Sequence, residues 1–167
     1  MENAAQEDRF AVLEDRVRLL EDQVAIYRLI ASWGPAADIA DGQAASSFWT
    51  EDAVLRSENN RVEGASGVRA MIDSEGQQDL VRQGCAHVQG LPLLHLDGDQ
   101  ATAINYGRVY LHGEEGYGIW RVSANLWEFR RADDGWRAAR RTVHVIDGGP
   151  EARELLSRGI SGQGSGD

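Results

Sequence analysis

The chain has 167 residues, 42% hydrophobic and 26% charged, the proportions of one globular domain that buries about two thirds of its unfolded surface. A formal net charge of −10 argues against nucleic acid and anionic membrane as partners, since both are polyanions. No window approaches the roughly 20 apolar residues that span a bilayer, the acidic start MENAAQEDRF is no secretory signal, and the lone Cys85 fits a reducing compartment, so the cytoplasm is expected.

Phe10, Leu13, Val17, Leu20, Val24 and Tyr27 alternate three- and four-residue spacings, the stripe of an amphipathic helix. The stripe has two readings: packing on its own domain, or contact with a second copy through a/d-type positions. Gly34-Pro35 predicts a kink or break, because proline lacks a backbone donor and disfavours helix at the residue before it. A helix resumes over Ala36–Ala40. Asp41-Gly42 then turns into a short helix from Ala44 to Trp49, and Thr50-Glu51-Asp52 precedes a strand at Ala53–Leu55. Asn59-Asn60 reads as a turn, and a third helix is expected from Ala65 to Val81.

Beyond Cys85 the texture is β. Strands are expected at His87–Leu96, Ala101–His112, Tyr117–Arg131 and Trp136–Asp147, separated by turns of glycine and acidic residues. A short helix over Glu151–Leu156 and a flexible tail, SGQGSGD at 161–167, close the chain. Helices first and long strands afterwards give an α+β fold: a cone-shaped, curved antiparallel sheet whose N-terminal helices close a central pocket, as a single domain over residues 1–160.

Four histidines are present. His95 and His112 lie beside turns and are expected exposed. His144 shares a strand face with Arg140 and Thr142, and His87 opens the first long strand. Asp38 sits in an alanine-rich stretch without local partners, whereas Asp41 suits a solvated helix end. A buried aspartate needs a donor from elsewhere, and an imidazole is a natural one. No metal-binding spacing of histidines, no G-x-S-x-G elbow and no phosphate-cradling loop is present, so neither metal nor cofactor is expected.

Leu13-Glu14-Asp15-Arg16, Ala37-Asp38-Ile39-Ala40-Asp41-Gly42, Phe48-Trp49-Thr50-Glu51-Asp52-Ala53-Val54, Glu63 to Arg69 and Asp134 to Arg141 together form a recognisable pattern. Over roughly residues 13–150 the chain resembles the SnoaL-like branch of the nuclear-transport-factor-2-like superfamily. Enzymes of that branch include scytalone dehydratase, bile-acid 7α-dehydratase, lindane dehydrochlorinase and polyketide cyclases. The resemblance singles out Asp38, fourteen residues before Asp52, rather than Asp41. It implies a catalytic dyad of Asp38 and His87, proton abstraction from carbon with no metal or cofactor, and a homo-oligomer, trimer or dimer. The dehydratases of the branch carry a tyrosine five residues before the aspartate and another on the strand after the second helix. Here the first position is Trp33, and Val54–Asn59 contains no tyrosine.

Two functions follow as expectations. The first is a lyase that eliminates water, halide or a small carbonyl fragment from a hydrophobic, aromatic or polycyclic small molecule, with aldol ring closure of a polyketide as its close variant. The second is a non-enzymatic small-molecule binder. Trp33 is read either as a platform for the substrate or as a core tryptophan. Asn125, Arg140, His144, Tyr106 and Arg108 are the candidates for substrate contacts from the sheet. Tyr106, Arg108 and Tyr110 share one face of their strand, Asn105 and Val109 the other, and Asn125 and His144 are expected to face the pocket.

Overall fold

Helix α1 runs without interruption from Glu2 to Asp38, 37 residues, in a computed structural model that describes residues 2–58 and 60–164. The break expected at Gly34-Pro35 does not occur. Pro35 lies in the last turn, where one forfeited helical hydrogen bond is tolerated, and the Ile39 N–H still donates to the Pro35 carbonyl at 3.1 Å. Phe10, Leu13, Val17, Leu20 and Val24 stand 47% to 59% exposed, so the first half of α1 does not lie on its own domain. A different stripe does: Ile26, Ile30, Trp33 and Ala37, spaced by four, three and four residues, are all buried.

Asp22 marks the point where α1 meets the domain. Its carboxylate accepts bonds from Arg131 Nη1 and Nη2 at 2.8 and 2.6 Å and from Trp136 Nε1 at 2.9 Å. Arg131 in turn lies over the Trp136 ring, 4.5 Å from its centroid. The Arg131 bond is the main cause that holds the Asp22 carboxyl below its ordinary range, against a smaller opposing effect of burial. A carboxyl depressed in the folded state adds stability above its unfolded value, and loses it as pH falls through the folded value. Asp22→Asn is therefore expected to lower stability by about 1–3 kcal/mol at pH 7 and to lose less on acidification below about pH 4 than wild type. Urea midpoints at pH 7 and pH 3 check both.

The C-terminus of α1 closes with Ala40 in the left-handed region at φ 51. The Asp41 and Ala40 N–H groups reach back to the Ala36 and Ala37 carbonyls at 3.1 Å each, the pattern of a Schellman cap. Asp41 caps helix α2 (Gly42–Ser46), its side chain accepting from the Ala44 N–H at 2.8 Å. The helix expected at 65–81 is two helices, α3 (Gly64–Ile72) and α4 (Glu75–Gln83). Ser74 divides them: its hydroxyl donates to the Met71 carbonyl at 2.7 Å and accepts from the Gln77 N–H at 3.4 Å, so serine starts a new helix instead of continuing the old one.

Seven strands form one curved, unclosed sheet: β1 (Trp49–Ser57), β2 (Asn60–Glu63), β3 (Cys85–Gln89), β4 (Leu93–Asp97), β5 (Gln100–Gly113), β6 (Gly116–Ala132) and β7 (Gly135–Val145). The order is β2-β1-β7-β6-β5-β3, with β4 also on β5. All pairs are antiparallel except β1 with β7, which is parallel. The single strand expected at 87–96 is β3 and β4, parted at Gly90-Leu91-Pro92, where proline has no donor for the ladder. They pair with opposite halves of β5. The turn expected at Asn59-Asn60 and the end of the 161–167 tail fall partly outside the described residues; within them, Asn60 begins β2 and Thr102 Oγ1 donates to the Gly162 carbonyl at 3.3 Å.

The main core fills the inner face, where Trp33 of α1, Trp49 of β1 and Trp127 and Phe129 of β6 pack with centroids 5.6 to 6.2 Å apart. Helix α5 (Pro150–Ile160) covers the outer face, Ala152 and Leu155 packing on Ile104, Ala124 and Leu126. The architecture is the expected mixed α+β one. No helix among the described residues is long and apolar enough to cross a membrane.

Candidate active site

Asp38 is the last residue of α1 and His87 the third of β3. They meet because α1 crosses β3 at Gly34, where a Cβ would stand 2.0 Å from the His87 carbonyl oxygen. Only glycine permits that approach. Gln77 of α4 secures the same end of α1, its Nε2 donating to the Ala37 carbonyl at 2.8 Å.

The His87 Nδ1 lies 2.6 Å from Asp38 Oδ1, and the His87 backbone N–H donates to Oδ2 at 2.8 Å. The side chains are 11% and 22% exposed. Against an ionised carboxylate the favoured tautomer carries its proton on Nδ1, leaving a lone pair on Nε2. Burial alone would raise the Asp38 carboxyl, but the bonds from the His87 ring and backbone and from the Cys85 thiol outweigh it, so the carboxyl is held below its ordinary range.

Asp38, Cys85 and His87 bring ligand-type atoms within 4.8 Å of one another. The thiol, however, donates to Asp38 Oδ1 at 3.4 Å, and burial, then the Asp38 bond and charge, push it up to about 11. The three groups thus form a hydrogen-bonded cluster centred on Asp38. Alkylation of Cys85 at pH 8 is accordingly expected to run on the order of a hundredfold slower than that of an unperturbed thiol. Asp38→Asn is expected to accelerate it, and iodoacetamide labelling followed by mass spectrometry reads both rates.

Polar side chains are set among the apolar ones of the inner face. Arg141 of β7 is buried between two indoles, its guanidinium carbon 4.3 Å from the Trp127 centroid and 4.9 Å from that of Trp33. Its Nε and Nη2 donate to Asn125 Oδ1 at 3.2 and 2.7 Å. Burial, and secondarily repulsion from Arg121, push it down to about 9, so it remains cationic at neutral pH. Beside it, Asn105 donates to Gln89 Oε1 at 3.2 Å and to the Gly90 carbonyl at 3.0 Å, and accepts from Trp127 Nε1 at 3.2 Å.

A SnoaL-like domain profile matches residues 18–142. The chain belongs to the SnoaL-like family. Among solved structures, this SnoaL-like domain is similar to a nuclear-transport-factor-2-like protein with a cystatin-like fold from Novosphingobium aromaticivorans: 41% identity over 86% of this chain and 94% of that one, TM-score 0.84. A hexachlorocyclohexane dehydrochlorinase of Novosphingobium barchaimii shares the fold at 18% identity, covering 79% of this chain and 90% of that one, TM-score 0.66. A candidate scytalone dehydratase from Novosphingobium aromaticivorans does so at 17%, covering 79% and 88%, TM-score 0.66. No functionally curated protein matches the chain.

The sheet of this SnoaL-like domain divides the substrate-contact candidates between its two faces. Trp33 and Asn125 are inside, but both are buried and hold Arg141, and the Trp33 ring is enclosed by Trp49, Trp127 and that guanidinium. Trp33 is thus a core tryptophan rather than an open platform. His144, expected to face the pocket, lies on the outer face: it is in register with Ala124, which packs under α5, and its Nδ1 is 3.9 Å from Glu58. Arg140 is outside as well, 3.5 Å from Glu128. Tyr106 and Arg108 share the outer side of β5 with Ile104.

The cause on β7 is a bulge. Glu128 pairs with Arg140 but Phe129 pairs with Ala138, so Ala139 is an extra residue and the inward parity passes from Trp136 and Ala138 to Arg141, Val143 and Val145. Arg141 is therefore the inward member of the Arg140-Arg141 pair, a residue not among the substrate-contact candidates expected from the sequence. Among the other histidines, His112 is exposed as expected, but His95 is half-buried in β4, its Nε2 enclosed without a partner among the described residues.

Proposed function

We propose that this domain is a cofactor-independent lyase in which His87 removes a proton from carbon and Asp38 holds the imidazole. The observation that carries the reading is the 2.6 Å contact between His87 Nδ1 and Asp38 Oδ1 in a half-buried setting, which directs Nε2 away from the carboxylate. In the reaction the C–H bond breaks, its proton passes to Nε2, and its electron pair becomes the new C=C bond as the leaving group departs with its own pair. The imidazolium is stabilised by the adjacent carboxylate. When the leaving group is hydroxide, the proton on Nε2 is the one that converts it to water. A halide departs with its own pair in the same way, whereas a small carbonyl fragment leaves by the retro-aldol step, in which Nε2 takes the hydroxyl proton, the C–C bond breaks, its electron pair stays on the carbon left behind and that carbon recovers the proton.

The substrate is a small, hydrophobic, ring-bearing molecule, and the indole-rich inner face supports that reading. The dehydrochlorinase and the candidate dehydratase that share the fold lend elimination chemistry their support. The exposed stripe of α1 is proposed to pack against further copies in a homo-oligomer, for which chain-length light scattering on a variant lacking residues 1–20 is the check. The lyase itself is tested by incubating wild type and His87→Ala with a panel of aryl and polyketide-like carbon acids. Products lighter than the substrate by water, hydrogen halide or a carbonyl fragment are expected with wild type alone. Equal product from both proteins would remove His87 from the mechanism.

A further inference from the structure

Arg141 is an enclosed cation without a counter-ion. It is 6% exposed, and among the described residues no carboxylate lies within ion-pair distance of it. Its partners are the neutral oxygen of Asn125 and the faces of two indoles. Arg121 repeats the situation on the neighbouring strand: its Nε is buried with no partner. The attraction that reaches it comes from Glu58, which is already engaged by the Val145 N–H and stands near His144. The two arginines repel each other. A buried charge left uncompensated is costly, and Arg141, with the half-buried Arg121 adding to the positive charge beside it, calls for an anion.

The register places that anion relative to the base. His87, Val109 and Arg121 lie side by side on β3, β5 and β6, so His87 and Arg121 are separated by two strand spacings, about 10 Å. In the next row Gly107 stands between Gln89 and Ser123. A Cβ there would meet Asn125 Nδ2 at 2.7 Å and Ser123 Oγ at 3.1 Å, so glycine lets these polar side chains close over the strand between base and arginines.

We propose that Arg141 and Arg121 bind a carboxylate of the substrate, which makes the substrate an aromatic or alicyclic carboxylic acid whose acidic carbon lies at His87 Nε2. The placement of that carbon rests on the lyase reading above; the carboxylate site itself does not. Guanidinium groups recognise carboxylates through paired N–H donors, and the surrounding tryptophans exclude water from the pair.

The experiment compares each of 2-naphthoate, benzoate and cyclohexanecarboxylate with its primary amide, by calorimetry and by quenching of tryptophan fluorescence. Wild type is expected to bind at least one acid about tenfold or more tighter than its amide. Arg141→Met and Arg121→Met are each expected to abolish that preference while leaving amide binding nearly unchanged. If Arg141→Met does not fold, Arg121→Met, at a less buried position, decides alone. His87→Gln is expected to keep the preference, which separates this site from the catalytic reading. Equal binding of acid and amide, no binding of any acid by wild type, or a preference that survives at both arginines overturns the proposal. Loss of carbon chemistry with the preference intact would count against the lyase and leave the carboxylate site standing.

Discussion

Gly34→Ala is expected to lower both stability and turnover. The added Cβ would fall 2.0 Å from the His87 carbonyl oxygen, about 1 Å inside the closest contact that atoms tolerate, and the obstacle is strand backbone that cannot rotate away. Helix α1 or β3 must retreat, at about 1–3 kcal/mol or more for overpacking of this kind. Alanine's better helix propensity returns only about 1 kcal/mol. Because Asp38 sits one helical turn beyond Gly34 and His87 is the residue struck, the retreat opens the 2.6 Å contact itself. Misplacement by about 1 Å can reduce turnover on the order of a hundredfold. Urea denaturation and the elimination assay together check the prediction. A fully stable and fully active Gly34→Ala would show that α1 and β3 are not held in register at this point.

His87→Ala is expected to reduce turnover by about two to four orders of magnitude, the usual contribution of a positioned general base, with the fold retained by circular dichroism. Asp38→Asn keeps the size of the side chain but offers the ring an amide in place of a charge. The Nδ1 proton then has a weaker acceptor, the imidazolium formed in the reaction loses its stabilising neighbour, and the Cys85 thiol loses its charged acceptor. The rate is expected to fall by a smaller factor than with His87→Ala, and the double variant to be no slower than His87→Ala, because residues acting as one unit are not additive. Multiplicative losses in the double variant would mean that the two groups act separately.

Much of the fold was legible because helices and strands announce themselves by period and by glycine-acid turns. Strands β5, β6 and β7 were located nearly to their ends, whereas the helix expected over 65–81 ran through Ser74, whose cap starts α4. The misreadings have physical causes that local sequence does not carry. Gly34-Pro35 looked like punctuation, yet the glycine is there for a strand some fifty residues further on. The apolar stripe of Phe10 to Val24 is as regular as, and longer than, the Ile26, Ile30, Trp33 and Ala37 stripe that reaches the core. On β7, His144 is expected to face the pocket, but the bulged residue at Ala139 gives the inward face to Arg141, Val143 and Val145. Asp38 had no local feature to prefer it over Asp41. The family pattern pointed to it, and its proximity to His87 is a property of the crossing of α1 over β3. The inward arginines needed the register, since nothing in a β-strand pattern says that a buried arginine lacks a carboxylate.

The central claim, that His87 takes a proton from carbon, is tested most directly by hydrogen–deuterium exchange in D₂O. Wild type and His87→Ala would each be incubated with aryl, polyketide-like and carboxylic carbon acids, and deuterium at carbon in recovered substrate and product read by mass spectrometry. Wild type is predicted to place deuterium at the acidic carbon or to eliminate the leaving group, and His87→Ala to do neither at a comparable rate. Exchange at equal rates in both proteins, or in neither across the whole panel, would contradict the account, and silence from both would favour a protein that binds without chemistry.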